Sequence, residues 1–210
     1  MNEKLAGLIA EIEKLHAELD HEVARRRDEL GVRISGKIVA FEKEVTEQHR
    51  RLRTSLLKYI AGADLLTVLT APVIYAMVVP IALLDLSVTV YQHICFRAYG
   101  LERVRRGDYV VIDRQHLAYL NGIEIFNCLY CGYANGVIAY AREIASRTEQ
   151  FWCPIKHARK VMETHKRYGE FLEYGDGENF GPKYRSQREK CRISDTPLPD
   201  AANDETVPAA

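Results

Sequence analysis

The feature that most constrains this chain is a run of 20 residues without a charged side chain, Leu65 to Leu84, which reads LLTVLTAPVIYAMVVPIALL. A helix needs about 20 apolar residues to cross the hydrocarbon core of a bilayer, so this run predicts a membrane helix. After Asp85 the apolar character resumes and continues to Phe96. The whole membrane segment, which we assign to residues 63–98, is too long for one straight span and short for two.

Two membrane arrangements of this segment are open, and a buried helix pair in a soluble fold is a third possibility. Pro72 and Pro80 lack an amide hydrogen and obstruct the preceding helical turn, so they can break the segment into a re-entrant hairpin. The other membrane arrangement is a single span followed by an interfacial helix. Basic residues flank the segment on both sides, and the positive-inside rule therefore favours the hairpin. We expect a bacterial inner-membrane protein whose soluble parts are cytoplasmic.

The charges of the whole chain balance, with 29 Lys and Arg against 29 Asp and Glu, so no specific nucleic-acid binding is expected. Local clusters of charge matter more. Four arginines close behind the apolar segment are expected to contact the surface of the lipid bilayer, namely Arg97, Arg103, Arg105 and Arg106. The N-terminus mixes acidic with apolar residues, which is not the pattern of a signal peptide.

Residues 1–62 have the pattern of an amphipathic helical arm. Apolar residues recur there at intervals of three and four, including Leu5, Leu8, Ile12, Leu15, Leu19, Ile34, Ile38, Phe41 and Val45. The pattern loses phase between Arg25 and Gly36, so two helical segments are expected rather than one. The apolar stripe predicts packing on its own domain or pairing as a coiled coil or hairpin. It is the expected surface for a protein partner or for self-association.

Residues 99–184 contain the pattern with the most chemical content, a CxxC pair followed later by CPIKH. The candidate metal ligands are Cys128, Cys131, Cys153 and His157. Three thiolates and one imidazole suit a tetrahedral zinc ion, so zinc is the expected metal of a small helical unit. An unbroken helix between the two pairs would hold them about 30 Å apart. A shared site therefore requires that helix to start near Asn135 and to stop near Thr148.

Other interpretations of these four residues stay open. Iron or an Fe–S cluster on the same ligands would make the chain a membrane redox protein. The CxxC pair alone could form a dithiol, the cysteines could be ordinary core residues, or a zinc ion with one open position could support hydrolysis. The sequence has no GxSxG, HExxH, phosphate-loop or dinucleotide pattern. No catalytic residue is therefore assigned, and enzymatic activity stays undecided.

The predicted fold class is mainly α: amphipathic N-terminal helices, a membrane hairpin or span, and a small C-terminal metal-binding unit. A brief strand is expected from Gly107 to Asp113, and a helical spacing resumes at Leu117. The polar tail, residues 185–210, is expected to be disordered, and Cys191 in it to be inert.

From Leu65 to Ala158 the chain resembles a family of bacterial membrane-associated proteins for which no reaction is established. The resemblance is carried by runs such as TAPVIYAMVVPIALLDLSVTVYQHICFRAYG and NCLYCGYANGVIAYAREIASRTEQFWCPIKHA. It implies a bacterial origin and a membrane location, and it implies no activity. The N-terminal arm and the tail lie outside it, so the ligand assignment rests on spacing and residue chemistry alone.

Overall fold

The structure, a computed structural model, describes residues 3–35, 38–41 and 43–193. As predicted, it is mainly helical. The helices are α1 (Glu3–Glu29), α2 (Lys43–Leu52), α3 (Leu56–Ala61), α4 (Leu65–Ala76), α5 (Val78–Tyr91), α6 (Arg97–Tyr99), α7 (Gly122–Trp152) and α8 (Phe180–Ile193). The two strands, β1 (Val32–Ser35) and β2 (Ile38–Phe41), form an antiparallel pair.

The chain divides into two compact units. Unit 1 consists of Met1–Ala82 with Gly107–Ile138, and unit 2 consists of Leu83–Arg106 with Ala139–Ala210. These boundaries differ from the four successive segments expected from the sequence, because the chain contributes two separate stretches to each unit.

The N-terminal arm contains one long helix and then a β-hairpin, so the second helix begins later than predicted. α1 continues for 27 residues, and its last turn carries Arg26 and Arg27 close to the helix C-terminus, where basic residues are favourable. β1 and β2 follow, paired from Val32↔Phe41 to Ser35↔Ile38. Both strands are rich in β-branched residues, which favour extended backbone and override the weak helical spacing of this region.

The apolar segment forms one helical stretch from Leu65 to Tyr99, so the hairpin favoured by the sequence is wrong. Between α4 and α5, Met77 has φ −64° and ψ −12°, which keeps the backbone in the right-handed helical region. Pro80 accounts for the local interruption, because its ring obstructs the carbonyl of Ala76 and it has no amide hydrogen. A proline in this position bends a helix without reversing its direction.

The two ends of this stretch have clear local causes. Asp64 caps the N-terminus, where its carboxylate accepts hydrogen bonds from the amides of Leu66 and Thr67 at 3.1 and 3.3 Å. Near the other end, a π-helical turn spans Gln92–Phe96 and α6 follows it. Gly100, with φ 69°, ends the stretch in the left-handed conformation that glycine adopts most readily.

α7 is an uninterrupted helix of 31 residues. Asn121 caps its start, where the side-chain oxygen accepts from the amides of Ile123 and Glu124 at 3.0 and 3.1 Å. Glu124 in turn accepts from the Asn121 amide at 2.8 Å, which completes a reciprocal capping box. This cap explains why the helix begins at Gly122 and not at Leu117, as the apolar spacing suggested.

In unit 1, the chain segment before α7 packs directly on one glycine of that helix. A Cβ atom added at Gly136 would lie 2.7 Å from the carbonyl oxygen of Tyr109 and 2.9 Å from the Cα atom of Val110. One turn earlier, a Cβ atom at Gly132 would lie 3.6 Å from the nearest atom, the carbonyl oxygen of Val111. Gly136 is therefore required for the close approach, whereas Gly132 has room for a methyl group.

In unit 2, the core forms where the end of the apolar helix meets the second half of α7. Its buried apolar residues are Phe96, Leu101, Val104, Tyr140, Ile144, Phe151, Phe171 and Leu172. Gln92 is also buried, and its side-chain oxygen accepts from the Val104 amide at 2.9 Å while its nitrogen donates to the Val104 carbonyl at 3.3 Å and to the Tyr140 hydroxyl. These two hydrogen bonds to the backbone of Val104 fix the loop that follows the helix.

We expect Gly136→Ala to lower the free energy of unfolding by about 1–3 kcal/mol, because the new methyl group meets backbone atoms that cannot move independently. The matched control is Gly132→Ala on the same face of α7, which we expect to be neutral or to stabilise by up to about 1 kcal/mol through helix propensity. Chemical denaturation of both variants in detergent solution measures the difference. Equal stabilities would show that the segment does not pack on Gly136 as described.

Candidate functional site

The structure does not bring the four candidate metal ligands together. Cys128 and Cys131 lie within α7, and Cys153 directly follows its last residue. A shared site requires the helix to stop near Thr148, but it continues to Trp152, and the rise from Cys131 to the helix end is about 30 Å. In the described ranges, no three His, Cys, Asp or Glu side chains are placed to hold one metal ion. With α7 unbroken, the structure does not place Cys128 and Cys131 beside Cys153, so a shared zinc or iron ion stays a prediction that the structure does not support.

Cys153 is also a poor thiolate on its own. Its backbone amide donates to the Glu149 carbonyl at 2.7 Å, so it still belongs to the hydrogen-bonded end of α7. Burial, together with the negative charge of Glu149, raises the pKa of the Cys153 thiol. A raised pKa lowers the fraction of thiolate, which is the form that binds metals and acts as a nucleophile.

His157 lies in a loop that follows α7. Ile155 forms an isolated parallel β-bridge with Leu172, which holds the backbone extended. The His157 amide donates to the Tyr168 hydroxyl at 2.7 Å, and the two rings stack with centroids 6.2 Å apart. This histidine is therefore held by aromatic and backbone contacts of unit 2.

Cys191 is not in a disordered segment, as the sequence suggested, because it lies in α8. That helix extends eight residues past the predicted start of disorder, to Ile193. Residues 194–210, the rest of the predicted tail, lie outside the described residues. Burial raises the pKa of the Cys191 thiol, with partial opposition from the charges of Arg167 and Arg147, so the thiol is expected to be unreactive.

The four arginines behind the apolar helix are of two kinds. Arg106 pairs with Asp85, with Nη2 to Oδ2 at 2.7 Å and Nε to Oδ1 at 2.9 Å. This pairing explains how a carboxylate is accommodated within an apolar helix. The side chains of Arg97, Arg103 and Arg105 are exposed and, among the residues described, have no hydrogen bond or ion pair. These three guanidinium groups are available to an anionic partner.

The apolar helix itself is a large surface that the rest of the fold leaves uncovered. Leu65–Tyr99 is long and apolar enough to cross a membrane, and its most apolar window has a mean hydropathy of 2.2 with no part buried. Leu66 and Val73 are 70% and 69% exposed. On its inner side in unit 1, Tyr75 donates a hydrogen bond to the Asn127 side chain at 2.5 Å. A helix that is apolar all round and exposed is typical of a membrane or interface segment.

Unit 2 also contains a partly buried charge cluster that the sequence analysis missed. Glu143 accepts two hydrogen bonds from Arg167, at 2.7 and 2.9 Å, and one from Arg147 at 3.0 Å. Burial alone would raise the pKa of the Glu143 carboxyl. The hydrogen bonds and positive charges of Arg167 and Arg147 outweigh this effect, so the pKa is lowered. The i, i+4 spacing could have indicated the pair within α7. Arg167 comes from a separate short 3-10 helix, Lys166–Glu170, and no local pattern indicates it.

No protein-family model, curated protein or solved structure matches this chain. The resemblance of residues 65–158 to bacterial membrane proteins therefore stays a prediction.

We expect Glu143→Gln to lower the free energy of unfolding by about 2–4 kcal/mol at pH 7, because Arg147 and Arg167 lose their shared counter-charge. The pKa of Glu143 is depressed in the folded chain, so its stabilisation is complete above the ordinary carboxyl pKa and is lost as the pH falls through the folded-state value. The difference from the unsubstituted protein should therefore shrink below about pH 4.

Chemical denaturation at several pH values between 7 and 3 measures this effect. The control is Glu163→Gln, which changes a side chain that is 86% exposed and 3.8 Å from Arg142. Such surface pairs contribute less than about 1 kcal/mol. A Glu143→Gln effect that stays the same at every pH would contradict the assignment of the charged carboxylate.

Proposed function

We propose that this chain is a membrane-anchored interaction protein without a reaction of its own. In this proposal the helix Leu65–Tyr99 lies in a bilayer, and α1 binds a protein partner or a second copy of the chain. The observation that carries the proposal is that this apolar helix is exposed. Its outward-facing side chains are mostly large and apolar, and water solvates such side chains poorly. A bilayer covers such a surface at no cost in polar desolvation.

The length of the helix fits a bilayer with its polar layers. Its 35 residues correspond to a rise of about 50 Å, against roughly 40–45 Å for hydrocarbon and headgroups together. Within the helix, Asp85 is paired with Arg106, and a neutralised pair costs less in an apolar layer than a lone charge.

Basic residues do not select the orientation of a single span, because each flank carries four of them close to the helix. The cysteines favour one orientation. All five are free, and those beyond the apolar helix include Cys128, Cys131 and Cys153. Free thiols are maintained in reducing compartments, so we place the soluble parts of the chain in the cytoplasm of a bacterium, at its inner membrane.

The arm offers a surface for association. Leu8, Ile12, Leu15 and Leu19 recur along α1 at alternating intervals of four and three, and each is between 49% and 58% exposed. This spacing gives the a and d positions of a coiled coil, whose apolar seam is stable only when a second helix covers it. A shared metal ion has no part in the proposal, because its four candidate ligands do not meet.

We expect the full chain to stay in the membrane pellet when bacterial membranes are washed with alkaline carbonate. The double variant Val79→Arg with Leu83→Arg should move into the supernatant or fail to insert, because each arginine near the centre of a span costs about 2.5–3.5 kcal/mol. Both positions are outward-facing, at 60% and 59% exposure. The matched control is Leu57→Arg, a highly exposed position in α3 outside the apolar run, which should stay in the pellet.

Release of the unsubstituted protein by carbonate would overturn the anchor. If that protein were then a large oligomer in the absence of detergent, the apolar helix would be covered by other copies of the chain rather than by lipid.

We expect Leu15→Asp to reduce the mass of the detergent-solubilised complex, measured by light scattering, because it places a charge in the apolar seam of α1. Ala17→Asp introduces the same charge two residues away, on the opposite side of the helix, and should leave the mass unchanged. A mass that neither variant alters would show that α1 does not hold the complex together.

A further inference from the structure

A cavity of about 540 Å³ lies in unit 2 where the apolar helix ends. One wall is formed by the last turns of the helix and the other by the loop that follows it. The lining includes His93, Phe96, Arg97, Gly100, Glu102 and Arg103. Two arginines from opposite walls therefore face a single open space.

The walls of this cavity are held by specific bonds, so the cavity is a fixed feature of the fold. Gly100 in the left-handed conformation turns the chain back, and the Leu101 amide donates to the Phe96 carbonyl at 2.8 Å. Buried Gln92 binds both the amide and the carbonyl of Val104. These bonds fix the backbone on either side of Arg103 relative to the end of the helix that carries Arg97.

The cavity carries an excess of positive charge. Its one carboxylate, Glu102, is 3.2 Å from the Arg147 guanidinium, which offsets its charge. Arg97 and Arg103 have no such partner within the described portion of the chain. His93 donates from Nδ1 to the Thr89 carbonyl at 2.7 Å, which fixes its ring beside them. Two unpaired guanidinium groups across a small space are suited to bind a phosphate group.

We propose that this cavity binds the headgroup of an anionic phospholipid, with Arg97 and Arg103 on its phosphate. The inference rests on the proposed membrane anchor. A lipid headgroup is favoured over a free phosphate because the cavity is several times larger than a phosphate ion. On the outside of the same helix turn, Ile94 is 66% exposed and can contact the acyl chains.

The experiment is native mass spectrometry of the full chain in a neutral detergent, which resolves each bound lipid by its mass. The probes are dihexanoylphosphatidylglycerol, which is anionic, dihexanoylphosphatidylcholine, which has no net charge, and inorganic phosphate as a competitor. We expect one phosphatidylglycerol molecule to bind in preference to phosphatidylcholine. The Arg97→Gln and Arg103→Gln double variant should weaken that binding at least about tenfold, since each arginine near a lipid phosphate contributes separately.

The matched control is Arg105→Gln, which removes an exposed arginine of the same loop that does not line the cavity. It should change the affinity by less than about twofold, as expected for a surface charge. The double variant Arg97→Lys with Arg103→Lys keeps both charges and should retain most of the binding. Helix content measured by circular dichroism identifies any variant that fails to fold, and the lysine variant then decides the result.

Equal binding by the glutamine double variant, or equal binding of phosphatidylcholine, would overturn the proposal. Competition by inorganic phosphate at the same concentration as the lipid would assign the cavity to a free anion and would also overturn it. Carbonate extraction separates this failure from that of the anchor, because the glutamine double variant should remain in the membrane pellet whether or not the cavity binds lipid.

Discussion

Both units are organised around α7, and its unbroken hydrogen bonding limits which side chains can meet. In unit 1 the helix presents Gly136 to the preceding segment, and in unit 2 it contributes Tyr140 and Ile144 to the core. The rise of 1.5 Å per residue is fixed by the backbone, so residues two turns apart can share a neighbour and residues six turns apart cannot. This constraint, more than the chemistry of the thiols, keeps Cys131 and Cys153 apart.

The sequence predicted well the elements that depend on composition and periodicity over many residues. The apolar run and the apolar stripe of α1 both form helices. In each, many residues separately favour a helix, so the prediction does not depend on any one of them. It predicted poorly the points where one residue decides the outcome. Asn121 with Glu124 forms a capping box whose spacing is visible in the sequence, and attention to it would have placed the start of α7 correctly. The apolar helix continues through Pro80, although a reversal was expected there.

The contacts between distant segments could not have been predicted from a single sequence. Arg167 contacts Glu143 from a short 3-10 helix 24 residues along the chain, and Arg106 contacts Asp85 of the apolar helix from another. Both ion pairs depend on how distant segments of the chain pack together, and the spacing of residues within one segment does not predict that packing. The basic cavity is similar, because Arg97 and Arg103 are near one another in sequence but face a common space only through Gly100 and the bonds of Gln92.

The π-helical turn at Gln92–Phe96 shows how the length of the chain, as well as its residues, can be under selection. A π turn is equivalent to one residue inserted into an α-helix, and it rotates everything that follows by about 100° around the helix axis. Deleting a single residue here would restore regular α-helical spacing and carry Arg97 away from the loop that contains Arg103. A homologous chain with a one-residue deletion in this turn would therefore have a helix end whose side chains point in other directions. This would hold even if every neighbouring residue were the same.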